Sequence, residues 1–236
     1  MARQVRSELT RRKIIDAAID VFSEVGYSVA GWGTIIERTG MTKGALYHHF
    51  DSKESLASAI IEEGSETLLN TFRSVCALGS PALENMIHGT FAVANLLGMD
   101  KTARAAEQLT AALSGFNDAA ARGSANWVEA MAAEARRAIA EGDLRDDVDP
   151  NLVSATIVGA MLGTRLLLIA ISGARSGEGV VEDLSARLSQ IWGLLLPGIV
   201  AEASLPYFRQ FLDREAMRHA RAAVPDDEPV AVAEIR

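Results

Sequence analysis

Apolar residues return every three to four positions through almost the whole of this 236-residue chain, a pattern that leaves packed helices as its natural fold. In Ser7 to Val25, residues Ile14, Ile15, Ala18, Val21 and Phe22 fall on one side with charges opposite, and Gly26 supplies a C-cap before Tyr27. Short helices are expected from Trp32 to Arg38, stopped by Gly40, and over 43–50 behind a Thr42 cap. A long one is expected over 53–75 behind Ser52, where Glu54 complements the helix dipole. Residues 78–83 read as a turn, with Pro81 near the start of the next helix. Five segments then follow at 82–98, 101–116, 124–142, 150–172 and 181–203, parted by Gly, Asp or Pro.

The last two segments are apolar round most of their circumference, which calls for burial on more than one side, within the domain and against a second copy. From about Arg214 the period fades while Pro and acid increase, so 214–236 is expected to be a flexible tail. The fold class is all-α, with a small head over 1–53 and a larger body over 54–213.

With 49% of residues apolar and only 6 prolines, disorder and a β-sandwich are both disfavoured. Cys76 has no partner for an internal disulfide and reads as a buried helix residue of a reducing compartment. The basic N-terminus lacks the apolar run of a signal peptide. The stretch Ala155 to Ile171 is interrupted by Arg165 and is too short for a good membrane span. A soluble, cytoplasmic protein with no membrane partner is expected.

A net charge of -8 argues at first against nucleic acid, but the charge is unevenly placed. Residues 1–53 hold eight Lys/Arg against six Asp/Glu, a net +2, which leaves -10 on the remainder. A positive tip on a negative body suits a protein that docks one end on phosphate. Within that tip, Gly40 separates two short helices whose Ile35, Ile36, Met41 and Leu46 point inward, the pattern of a helix-turn-helix with its second helix in the major groove. The first turn of such a helix must let the backbone approach DNA, and Thr42, Lys43 and Gly44 meet that need. Lys43 reaches guanine edges or phosphate, Thr42 offers a hydroxyl and an N–H, and Tyr47 and His48 lie one turn on. Phe50 reads as core. His48 and His49, being adjacent, diverge by about 100° and do not form a metal grip. No metal site and no cofactor are implied.

The runs TRRKIIDAAIDVFSEVGY and IIERTGMTKGALYHHFDSKESL resemble the DNA-binding domain of the TetR family of bacterial transcriptional repressors over residues 7 to 57 or so. The most specific part is Thr42-Lys43-Gly44-Ala45-Leu46-Tyr47 with His49-Phe50 and Lys53. The resemblance implies that Thr42, Lys43, Gly44, Tyr47 and His48 contact a double-stranded DNA operator from the recognition helix. It also implies that Lys53 holds phosphate and that Arg3 and Arg6 add backbone or minor-groove contacts from a leading arm. Where the family commonly has Thr or Ser capping the second helix, this chain has Gly31, and Thr34 is the candidate substitute for the missing hydroxyl.

The body shows no HExxH, Cys/His cluster, GxSxG or phosphate loop, so binding rather than catalysis is expected. Gly163-Thr164-Arg165 in an apolar helix, the isolated Trp127 and LLLPGIV at 194–200 resemble the γ-butyrolactone autoregulator receptors of actinobacteria. That resemblance implies a homodimeric repressor whose Trp127 closes over a small apolar signalling ligand. Candidate wall residues are Met86, Phe91, Leu109, Met131, Val158, Met161 and Leu162, with Thr156 and Thr164 as hydroxyl donors. Two alternatives stay open: a TetR-type repressor sensing a xenobiotic or antibiotic intermediate, and a helical enzyme or lipid-binding protein whose basic head is incidental.

Overall fold

The structure is a computed structural model that describes residues 2–77, 79, 81–172 and 180–222. Among the described residues ten helices follow in order: α1 (Ala2–Val25), α2 (Trp32–Thr39), α3 (Lys43–His49), α4 (Lys53–Cys76), α5 (Ala82–Met99), α6 (Lys101–Ala112), α7 (Asp118–Glu141), α8 (Pro150–Ser172), α9 (Val180–Ile199) and α10 (Leu205–Ala222). Among the described residues the extended pairing is limited to a single antiparallel bridge between Leu144 and Val200. The all-α expectation therefore holds.

Local chemistry sets most helix ends. Ser52 and Ser55 exchange backbone and hydroxyl hydrogen bonds in a capping box that opens α4. Asp100 accepts from the Ala103 N–H to start α6, and Asn117 accepts from that of Ala120 to start α7. Gly40 takes the left-handed conformation that stops α2. Two starts lie earlier than the sequence reading placed them. The first helix begins at Ala2 because no Gly or Pro interrupts 2–25. The seventh begins at Asp118, since Gly123, read as a break, lies inside it. A Cβ built on Gly123 would lie 3.0 Å from Ser65 Oγ, so the missing side chain lets α7 approach α4.

Two cores result. Buried residues of α1 pack with Ile35, Leu46, Phe50, Leu56, Ala57, Ile60 and Ile61, and the same cluster takes in Leu109 and Leu113 from the α6 end of the body. The second core gathers α5, α7, α8, α9 and α10 around Met86, Phe91, Met131 and Trp192, with Phe72 from the far end of α4. Helix α4, roughly 36 Å long at 1.5 Å per residue, thus belongs to both cores. The head's packing continues past residue 53, through the first turns of α4. Where α4 crosses α6, a Cβ on Gly64 would lie 2.4 Å from Ala106 Cβ and 2.7 Å from the Thr102 carbonyl oxygen, so the crossing requires glycine.

The expected tail from 214 needs correction as far as it is described, because α10 continues unbroken to Ala222. Its inward positions are Phe208, Leu212 and then Glu215, whose burial breaks the apolar period without breaking the helix. Residues 223–236 lie outside the described residues. The reading of Ala155 to Ile171 as too short for a span is also corrected. The apolar segment starts at Pro150 and, at 22 residues with mean hydropathy 1.9, has the length and composition of one. Arg165 ties that helix to the protein interior through an ion pair with Glu107. Elsewhere the helix is open: Leu152, Leu166, Leu167 and Ile171 of α8 are exposed, as is Leu194 of α9.

Candidate DNA interface and ligand cavity

Helix α3 is held by a few deep anchors. Leu46 and Phe50 enter the head's core, while Thr42, Lys43, Gly44, Tyr47 and His48 face outward. Thr42 Oγ1 accepts from the Ala45 N–H at 3.3 Å, which leaves the hydroxyl proton free to donate. Lys43 Nζ lies 5.7 Å from the Tyr47 ring centroid, and it enters no ion pair among the described residues. Trp32 meets Tyr47 edge-on at 5.6 Å, so the tryptophan between two glycines braces a tyrosine of the exposed face. Nothing in the sequence near Trp32 announces this role, because its pairing with Tyr47 spans fifteen positions across the turn.

Gly44 is informative for what surrounds it. Its φ is not left-handed, and a Cβ built there meets nothing within 4 Å. Neither the backbone nor the neighbouring packing requires glycine, although glycine costs a helix roughly 0.5–1 kcal/mol against alanine. A bare backbone on an exposed face is what close approach of an external surface needs.

Other expected contacts are placed differently. The segment carrying Arg3 and Arg6 forms the first turns of α1 rather than an arm; Arg6 is exposed, and the Arg3 side chain lies outside the described residues. Thr34 is exposed in the first turn of α2, whose Gly31 cap supplies no side-chain hydrogen bond. Lys53 Nζ donates to the carbonyls of Tyr27 at 2.8 Å and Ala30 at 3.0 Å and sits over the Tyr27 ring. It locks the α1–α2 turn onto α4 and keeps one N–H for an outside acceptor. Arg38 makes a fork with Glu24, and Arg12 pairs with Asp16 and Glu63, so part of the head's positive charge is spent internally.

In the body, Trp127, Val158, Met161 and Leu162 line one cavity of about 80 Å³ with Leu68, Val93 and Leu97. Trp127 is half-buried and meets Phe72 edge-on at 5.2 Å. The other six candidates lie elsewhere. Met86, Phe91 and Met131 are fully buried core, Leu109 packs in the head's core and also lines the neighbouring cleft, Thr156 is exposed, and Thr164 lines neither this cavity nor its neighbour. Apolar spacing marks an inward face but not which cavity or core that face serves.

An open cleft of about 670 Å³ adjoins the cavity and shares Glu107, Thr110, Ser124 and Leu162 with it. The cleft reaches Phe22, Gly26 and Tyr27 at the end of α1, so its far wall is the head. Arg165 faces it with an Nη2 that lacks a hydrogen-bond partner. Burial pushes the Glu107 carboxyl up to about 7 against the pull of Arg165. Cys76, raised to about 12 chiefly by burial, is an inert thiol.

A helix-turn-helix head on an all-helical body with its own cavity defines a ligand-responsive class of DNA-binding regulator. The chain belongs to the TetR family: the model for bacterial regulatory proteins of that family matches residues 14–60, and that for the tetracyclin repressor-like C-terminal domain matches 80–201. It is a TetR-family repressor close to the γ-butyrolactone receptors, and not an enzyme. The A-factor receptor protein of Streptomyces griseus is 33% identical over 199 residues, 84% of this chain and 67% of that protein. A crystal structure of a γ-butyrolactone receptor, described as ArpA-like, superposes with a TM-score of 0.74 at 29% identity, covering 90% of this chain and 99% of the other. CprB from Streptomyces coelicolor, solved with its operator sequence, gives 0.70 at 29% identity over 90% and 99%.

Proposed function

We propose that this protein is a homodimeric repressor that reads a palindromic operator with the exposed face of α3 and leaves it when a small apolar ligand of the γ-butyrolactone type enters the body. The observation that carries the DNA reading is Gly44, a bare helical backbone beside Thr42, Lys43 and Tyr47 on an outward face. The operator-bound relative and the receptor relatives support it. Two such faces, related by a two-fold axis, enter major grooves about one helical turn apart or a multiple of it. The exposed Leu166, Leu167, Ile171 and Leu194 supply the self-complementary apolar surface for that pairing. Acting on chromosomal DNA, the protein works in the cytoplasm.

The ligand half rests on the cavity beside Trp127. At about 80 Å³ it is far below the several hundred Å³ of a typical small-molecule site. A hormone-sized ligand therefore enters by moving Trp127 and drawing on the adjoining cleft. Both spaces touch α6, which packs on α4 and on the head, so expansion there shifts the heads relative to one another. The ligand lowers operator occupancy only by the ratio of its affinities for the released and bound forms.

Gel-shift titration of a palindromic fragment selected from the host genome tests the assignment. Lys43→Ala and Tyr47→Ala are each expected to weaken retention at least tenfold while leaving the helical circular-dichroism signal intact. Retention that ignores both substitutions rules out α3 as the reading helix. For the dimer, Leu166→Glu with Leu167→Glu is expected to convert the sedimenting species to monomer; an unchanged dimer removes α8 from the interface.

A further inference from the structure

Three side chains with no part in DNA reading or ligand enclosure converge where α10 lies on α5. His88 Nδ1 is 2.6 Å from Glu215 Oε2, and His219 Nε2 is 3.6 Å from the same oxygen. The three atoms lie within 4.8 Å of one another. The Glu215 side chain is 1% exposed and that of His219 13%, while His88 at 32% leaves a way in from solvent. Glu215 Oε1 accepts from Arg218 at 2.6 Å, which reserves Oε2 for the two imidazoles.

Hydrogen bonding alone does not complete this cluster. His219 Nε2 is buried without a hydrogen-bond partner, and a contact of 3.6 Å is too long to count as one. Its ring is stacked on Phe91 at 5.2 Å, which holds the ring plane.

We propose that His88, Glu215 and His219 form a binding site for a divalent transition-metal cation of the zinc class. Two imidazole nitrogens and one carboxylate oxygen are a borderline-soft donor set suited to zinc, with water as the fourth ligand. Bonds of about 2.0–2.2 Å in a tetrahedron place ligand atoms about 3.4 Å apart. Small rotations of His88 and Glu215 reach that spacing from the present contacts. The metal joins a pair one helical turn apart on α10 to a residue of α5 and relieves the unpartnered His219 nitrogen. It thereby clamps α10 to the helix that supplies Val93 and Leu97 to the Trp127 cavity. The site depends on neither DNA nor hormone.

The test uses full-length, tag-free protein stripped with chelator, then given ZnCl₂ and passed through gel filtration. The expected result is about one zinc per chain by elemental analysis, and a melting temperature raised by about 5–10 °C at a hundredfold excess over Kd. Co²⁺ in place of zinc is expected to give the visible d–d bands of a tetrahedral site. His88→Gln and His219→Gln should each abolish retention, whereas His48→Ala with His49→Ala should retain it. Zinc that is not retained by the wild-type chain, that survives both His→Gln changes, or that is lost with the His48/His49 pair overturns the site. The wild-type Co²⁺ spectrum decides independently of how the variants fold: absence of d–d bands overturns it too.

Discussion

Replacing Gly44 with alanine separates what the fold needs from what DNA needs. The added Cβ meets no protein atom within 4 Å, and the local backbone is ordinary helix. Folding therefore gains the helix preference of alanine, about 0.5 kcal/mol because Gly44 stands in the first turn, where the effect is at the low end. For a chain of this size that amounts to a rise of about 1–2 °C in melting temperature. On DNA the same methyl group occupies the gap through which the α3 backbone approaches phosphate or a base edge. A loss of at least about 1.4 kcal/mol, tenfold in Kd, is expected for each head that docks. Thermal unfolding and fluorescence anisotropy on a labelled operator fragment give the two readings on one preparation. The reasoning is refuted if Gly44→Ala lowers the melting temperature, or if it binds the operator as tightly as the parent chain.

Lys53→Ala removes two charge-assisted hydrogen bonds to the Tyr27 and Ala30 carbonyls and should cost about 1–2 kcal/mol in denaturant unfolding, even without DNA. A loss confined to DNA affinity would contradict that role. Gly64→Ala forces a Cβ to within 2.4 Å of Ala106 Cβ, and overpacking of about 3 kcal/mol should lower the melting temperature by about 6 °C or more. In metal-free buffer, Glu215 gives a pH signature: its carboxyl moves from 4.5 unfolded to about 2 folded. A depressed carboxylate stabilises fully above the unfolded value, so its contribution is present above pH 4.5 and lost as pH falls toward 2. Glu215→Gln should flatten that acid limb in unfolding midpoints; an unchanged slope places the acid sensitivity elsewhere.

Helices were legible wherever an apolar face and a cap coincide, as at Thr42 or Ser52, because both are local in the chain. The DNA face was legible for the same reason, with Thr42 to His48 falling within two turns. What escaped depends on contacts distant in sequence. Glu215 hid the end of α10 because its partners, His88 above all, make a buried charge tolerable, and nothing near 215 announces them. Gly123 read as a break because the helix it admits, α4, lies far upstream. The cavity wall was half legible: Trp127, Val158, Met161 and Leu162 meet and Leu109 lines the adjoining cleft, whereas Met86, Phe91 and Met131 sit on equally apolar helix faces and serve core packing. Lys53 was assigned to phosphate alone because the loop carbonyls it holds leave no mark on the sequence.

The most direct test of the account is the dependence of operator affinity on salt concentration, measured for the parent chain and for Lys43→Ala. Phosphate contacts release counterions, so log affinity should fall linearly and steeply with log salt, with two chains on each duplex. Each head that loses a Lys43 phosphate contact should lower the slope by about one, hence by about two for the dimer. An affinity indifferent to salt, or a slope that Lys43→Ala leaves unchanged together with the affinity, contradicts the docking of α3 on DNA.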